Sequence, residues 1–130
     1  MRKPLAASRL AIITTAAMHL ASQPPFDERV KGGDPSYRVI PGDVDVAALS
    51  EAHRSDTFDH EGIRSDPNLA FPLDRVREMV KERRIGALAE RNLSFMGSIT
   101  APGRLVKASA PEAAQLLVQD GVDAALLVPV

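Results

Sequence analysis

At 130 residues, with 45% hydrophobic and 25% charged side chains, the chain has the make-up of a single globular domain or part of one, not of a disordered tract. Sixteen basic against seventeen acidic residues, four Phe, one Tyr and no Trp supply neither a basic field for phosphates nor an aromatic platform for bases, which argues against nucleic acid and anionic membranes as partners. The absence of cysteine removes disulfides, thiolate metal sites and thiol nucleophiles from these residues.

The opening "MRKPLAASRLAIITTAAMHLASQ" has a basic start, an apolar run and small residues, the outline of a signal peptide. That reading ranks second, because Thr14, Thr15 and His19 interrupt the run and His19-Leu20-Ala21 fits a cleavage site poorly. A membrane span needs about 20 apolar residues in a row, and the run is far shorter. "RLAIITT", Arg9 to Thr15, reads instead as a buried strand of a parallel sheet. Its polar end would lie at the carboxyl edge, where open α/β sheets bind ligands, so Thr14, Thr15 and His19 become candidates for the functional side.

From Gln23 to Pro72 periodicity is weak, and Pro, Gly, Asp and Ser mark a loop-rich segment, with a short strand at Tyr37 to Ile40 and a helical turn near Val46 to His53. "KGGDPS" lacks the preceding strand and following helix of a phosphate loop and reads as a turn. "PLDRVREMVKERR", Pro72 to Arg84, is the clearest helix. Leu73, Val76 and Val80 form one stripe widened by Met79, Asp74 and the two arginines at 83 and 84 suit the helix dipole, and Glu78 can pair with Lys81. Gly86 then turns the chain into "NLSFMGSI", a second central strand closed by Gly97. "SAPEAAQLLVQDG" is a further helix with Pro111 in its first turn and Gly121 at its end. "VDAALLVPV" follows as a buried strand, and Pro129 fits only where the ladder ends or at an edge. Strand, loops, helix, strand, helix, strand is the pattern of an α/β fold: an open, mainly parallel sheet with flanking helices, an incomplete Rossmann-like or flavodoxin-like domain over residues 1–130.

Spacing alone assigns no catalytic triad. His19, His53 and His60, with Asp56 and Asp59, match no familiar metal-ligand spacing, so a histidine-based metal enzyme is the weakest reading and no metal site is expected. Thr15, His19 and His53 are the candidate substrate-binding residues, chosen by location. A non-catalytic α/β binding or interaction module is the alternative from a different class.

The strings "DPSYRVIPGD", "SDPNLAFPLDRVREM", "IGALAERNLSFMG" and "DGVDAALLVPV", in this order, together with the start "RLAIITTAAMHLASQPPFD", resemble the N-terminal part of the selenoprotein B subunits of glycine, sarcosine, betaine and D-proline reductases. The resemblance implies a cytoplasmic oxidoreductase acting on amino acids or their N-methylated derivatives by reductive C–N cleavage. It also implies a selenocysteine, or a cysteine in its place, shortly after a strand like "LLVPV", a partner subunit carrying a pyruvoyl group, a thiol or selenol electron donor, and an oligomeric assembly. A chalcogen between a strand and a helix N-terminus has backbone N–H groups and the positive dipole end beside it, which favours its ionised form. No catalytic residue of that kind occurs within the 130 residues. The expectation is therefore that the reading frame is cut at a UGA selenocysteine codon just after Val130, and that the 130-residue chain has no reductase activity.

Overall fold

The structure is a computed structural model and describes residues 3–53 and 59–130. Its centre is β1 (Arg9–Thr14), whose run of Leu, Ala and Ile is buried on both sides. Along one edge β1 pairs in parallel first with β5 (Ala87–Leu88) and then with β6 (Arg91–Phe95). Along the other it pairs in parallel with β7 (Ala124–Val128), from Leu10↔Ala124 to Thr14↔Val128. Outside β6 runs β3 (Tyr37–Pro41), antiparallel, which completes a five-stranded sheet. A separate antiparallel ribbon joins β2 (Met18–Leu20) to β4 (Leu49–Glu51).

The register against β1 shifts by two residues between β5 and β6, and the gap would strand backbone donors in the core. Asn92 closes it. Fully buried, it accepts the Ile12 N–H on Oδ1 at 2.8 Å and donates from Nδ2 to the Ala89 carbonyl at 3.2 Å.

Side chains alternate across the strands and separate two cores. On the first face Leu10, Ile12 and Ile40 pack under Phe71, Leu73 and Val76, with Ile63 from α1 (His60–Ser65) alongside. Leu73 and Val76 belong to α2 (Leu73–Lys81), whose apolar stripe is the one expected, with Met79 and Val80 half-buried at its margin. The helix stops short of Arg84, because Arg83 takes a left-handed conformation at φ 60°. Glu78 pairs with Arg75 at 3.1 Å rather than with Lys81, and Asp74 pairs with Arg77 at 2.8 Å.

On the second face Ala11, Leu93 and Phe95 pack under Ala113 and Leu117 of α3 (Ala110–Gln119). Helical winding begins earlier than the proline suggested: a wide π-type segment, Leu105–Ser109, leads straight into α3. Pro111 brings no N–H to a helix already under way, and a widened turn ahead of it accommodates the loss. Gly121, at φ 67°, ends α3 as expected, and the Val122 N–H reaches back to Leu117 O at 3.0 Å.

Two expectations need correction. β7 is an edge strand rather than a buried one, with Ala125, Leu126 and Leu127 exposed. The loop-rich segment from Gln23 to Pro72 carries more structure than its periodicity showed. The strand expected at Tyr37 is β3 and the turn expected near Val46 is a 3-10 turn at Val46–Ala48; beyond these lie β4, α1 and a second 3-10 turn at Pro67–Leu69, while residues 54–58 fall outside the described residues. "KGGDPS" is a turn, with Gly32 and Gly33 at φ 85° and 97° and the Gly33 N–H bonded to Val30 O. Among the described residues no helix is long and apolar enough to cross a membrane.

Candidate active-site rim

At the carboxyl end of β1 the Thr14 hydroxyl accepts the Ala16 N–H at 3.1 Å and starts a tight reversal. Ala17 completes it with φ 53°, donating its N–H to Phe95 O at 2.9 Å, while its own carbonyl accepts the Ala52 N–H at 3.1 Å. Ala52 follows β4, so this one bond draws the end of the ribbon onto the end of the sheet. The next residue, His53, is delivered to the mouth of β1 and β6.

There His53 lies against Gly97, just past β6. A Cβ added at Gly97 would overlap His53 Nε2 and sit 2.9 Å from the Thr15 carbonyl oxygen, so only glycine lets the imidazole and the Thr15 backbone converge. Ser98 follows with φ 56°. Two non-glycine residues in left-handed conformations, Ala17 and Ser98, therefore flank one rim, and strain of this kind tends to concentrate at functional sites.

Behind His53 stands Glu51, whose side chain is 8% exposed. It accepts from His60 Nδ1 at 2.7 Å and from the His53 backbone N–H at 3.0 Å, with Arg64 at 3.5 Å. Burial by itself would raise the Glu51 pKa, but the His60 hydrogen bond, the His53 N–H and the nearby positive charges outweigh it and hold the carboxyl below its ordinary range. Burial pushes the His53 imidazole down; Glu51 opposes that, and His60 adds to it. Burial thus disfavours the charged form of the His53 imidazole, while the Glu51 carboxylate behind it is held ionised by its hydrogen bonds to His60 and to the His53 N–H.

Thr15 is half-buried at the same rim. Its N–H donates to Val128 O at 3.2 Å, and its hydroxyl oxygen accepts the Val130 N–H at 3.0 Å. A side chain thus continues the β1–β7 ladder past Pro129, which has no N–H of its own. The structure therefore brings Thr15 and His53 together over Gly97. It places His19 elsewhere, on β2 in register with Ser50, with Nδ1 3.0 Å from Leu20 O.

Of the histidine and aspartate set weighed for a metal, Asp56 lies outside the described residues, and Asp59 caps α1 by accepting the Gly62 N–H. Among the described residues no group of three or more His, Cys, Asp or Glu side chains is placed to hold a metal ion. Sequence reasoning missed Glu51, Ala17 and Ser98. Only Gly97 carried a signal, as the residue closing a strand.

Below the rim, on the second face, an apolar groove of about 520 Å³ runs between α3 and β7. Thr15, Met96 and Ile99 form its upper end, and Ala125 and Val118 flank its open side.

Residues 42–130 match the family described as glycine/sarcosine/betaine reductase selenoprotein B. Over 125 residues the chain is 36% identical to the D-proline reductase subunit gamma of Acetoanaerobium sticklandii, a match covering 96% of this chain and 50% of that protein. The chain thus spans about half the length of the curated relative it matches. No solved structure matches it.

Proposed function

The chain belongs to the glycine/sarcosine/betaine reductase selenoprotein B family, and on that premise we propose that it forms the N-terminal part of a selenol- or thiol-dependent reductase subunit. In this reading the full protein cleaves a C–N bond of an amino acid or N-methylated amino acid in the cytoplasm. D-proline is the first substrate to test, since it names the curated relative. The observation that carries the reading is the convergence of Thr15, Gly97 and His53 at the carboxyl end of the parallel strands, the end where α/β sheets place their chemistry.

The 130 residues contain no cysteine, so the redox residue expected from the family lies outside them. When present, that selenol or thiol supplies a polarisable nucleophile for electron transfer to the substrate. This chain's own residues act around it. The Thr15 hydroxyl fixes the backbone at Val130, the glycine at position 97 permits close approach, and His53, with Glu51 and His60 behind it, offers an imidazole at the rim. Overall, one C–N bond is broken, and a dithiol supplies two electrons and two protons as it closes to a disulfide. A partner subunit with a pyruvoyl group is the proposed binder of the substrate amine.

The test has two parts. Reading the nucleotides after the Val130 codon should give UGA followed by an open frame with a cysteine shortly downstream; UAA or UAG would remove the selenocysteine reading. The purified 130-residue chain should then give no turnover of D-proline, glycine, sarcosine or betaine with dithiol. Turnover by the chain alone would show that the redox centre had been assigned to the wrong place.

A further inference from the structure

We propose that the groove between α3 and β7 is the seat of a helix from the part of the family fold that the match to the D-proline reductase subunit leaves uncovered, with its following strand adding in parallel to the free edge of β7. This rests on the family reading, because the relative is twice as long as the matched region and so supplies the chain required.

Three observations on different links of the structure converge. The first is composition: "AALLV" is the continuous apolar run of a strand covered on both faces, yet Leu127 is 67% and Leu126 38% exposed. The second is the neighbouring helix, where Val118 is 75% exposed across the groove from Ala125. Exposed large apolar side chains on adjoining elements mark a contact surface, not a finished one.

The third is handedness. From β1 the chain crosses to β6 with α2 on the first face; from β6 it crosses back over β1 to β7 with α3 on the second face. The direction reverses and the face reverses, so both crossovers have the same hand, as parallel connections do. A unit leaving β7 for a strand still further out continues in the β6-to-β7 direction. The same hand then places its helix on the second face, beside α3. The groove is on that face, lined by Leu93, Phe95 and Leu117. An edge strand with unpaired backbone groups next to it is the complementary half of the same vacancy for a βαβ unit.

The test compares the 130-residue chain with a chimera in which the unmatched half of the D-proline reductase subunit is joined after Val130. The chain alone should bind the apolar-surface dye ANS and self-associate without fixed stoichiometry, and Val118→Glu with Leu127→Glu should cut dye binding at least fivefold. In the chimera, checked for a cooperative melt, dye binding should fall to background and hydrogen exchange over residues 124–128 should slow at least a hundredfold. A folded chimera with residues 124–128 still exchanging fast overturns the proposal. If the chimera does not fold, the chain alone decides: a discrete dimer that protects residues 124–128 assigns the face to a second copy, and a monomer that binds no dye removes the need for any occupant. None of these readouts involves turnover, so failure of the reductase reading would appear separately, in the assay with dithiol.

Discussion

The first face of the sheet stacks Leu10, Ile12 and Ile40 beneath Phe71, Leu73 and Val76, every one of them 7% exposed or less, whereas the second grades from Leu117, also 7% exposed, to Leu127, 67% exposed. The same sheet supplies both faces, so the difference lies in what covers them. On the first face the cover arrives from a stretch with little periodicity, Phe71 and Ile63 included, before the regular helix α2 begins. On the second a single helix does all the covering, and its width of about 10 Å does not reach the outer strand. A fold can thus be closed by irregular chain and left open by regular chain.

The largest expected effect breaks the closed face. Phe71→Ala removes a fully buried aromatic ring from the centre of the first core and should destabilise the chain by about 3–5 kcal/mol, as large-to-small aromatic truncations do. Urea denaturation followed by circular dichroism measures it. A loss under about 1 kcal/mol would mean that the first face is no better packed than the second.

Gly97→Ala should come next, at about 1–3 kcal/mol, because the new methyl overlaps His53 Nε2 and presses on the Thr15 carbonyl. Unlike Phe71→Ala, it should also shift the His53 imidazole resonances. An unmoved His53 spectrum would show that the rim is not assembled around this glycine.

A pH series sharpens the same contrast, since His53 and Glu51 are carried by the ribbon and not by the helices α2 and α3 that cover the two faces. The folded-state pKa of His53 lies below its ordinary value of 6.5, so between the two values the unfolded chain binds the extra proton. Stability is therefore full above pH 6.5 and declines as pH falls from there towards the folded value. Glu51, held below its ordinary 4.5, adds a second decline below that pH, with the same sign. His53→Gln should flatten the first decline and leave the second. An unchanged slope between pH 6.5 and 5 would show that His53 is not the group responsible.

Much of this was legible before the structure. The apolar block of β1, the stripe of α2 and the glycine after α3 each carry a local period or cap, and local signals survive into the fold. The rim was legible only in part. Thr15 could be placed at a strand end, but His53 arrives there through one long-range backbone bond, Ala52 N–H to Ala17 O, which leaves no trace in spacing. The same reversal carries His19 away: Ala17 bends the chain into β2 before His19 is reached, although nearness in sequence to β1 had put it on the functional side. Composition alone makes β7 a buried strand, because it reports the environment a strand is made for, and an edge position cannot be seen from one strand alone. Asn92 shows the converse. Nothing in "RNLSF" marks the asparagine as the residue that bridges a register shift, because the donor it satisfies, the Ile12 N–H, lies 80 residues away.

The smallest expected effect concerns the open face and completes the contrast. Leu127→Ser and Val118→Ser replace side chains that are 67% and 75% exposed in the 130-residue chain, so little apolar area returns to water on substitution. Each should change stability by no more than about 0.5 kcal/mol, the usual range for surface positions. The loss of a branched apolar side chain from a strand edge should at the same time reduce self-association, measured by sedimentation at rising concentration. The pairing of the two results is what matters. A stability loss as large as that of Phe71→Ala would mean that these side chains are buried in solution, and that the second face is already covered in the isolated chain. Near-neutral stability with improved solubility would mean instead that the apolar character of α3 and β7 contributes almost nothing to the folding of these residues. It would then be accounted for by a contact made outside the folding of these residues, the kind that the dye-binding and exchange experiments distinguish.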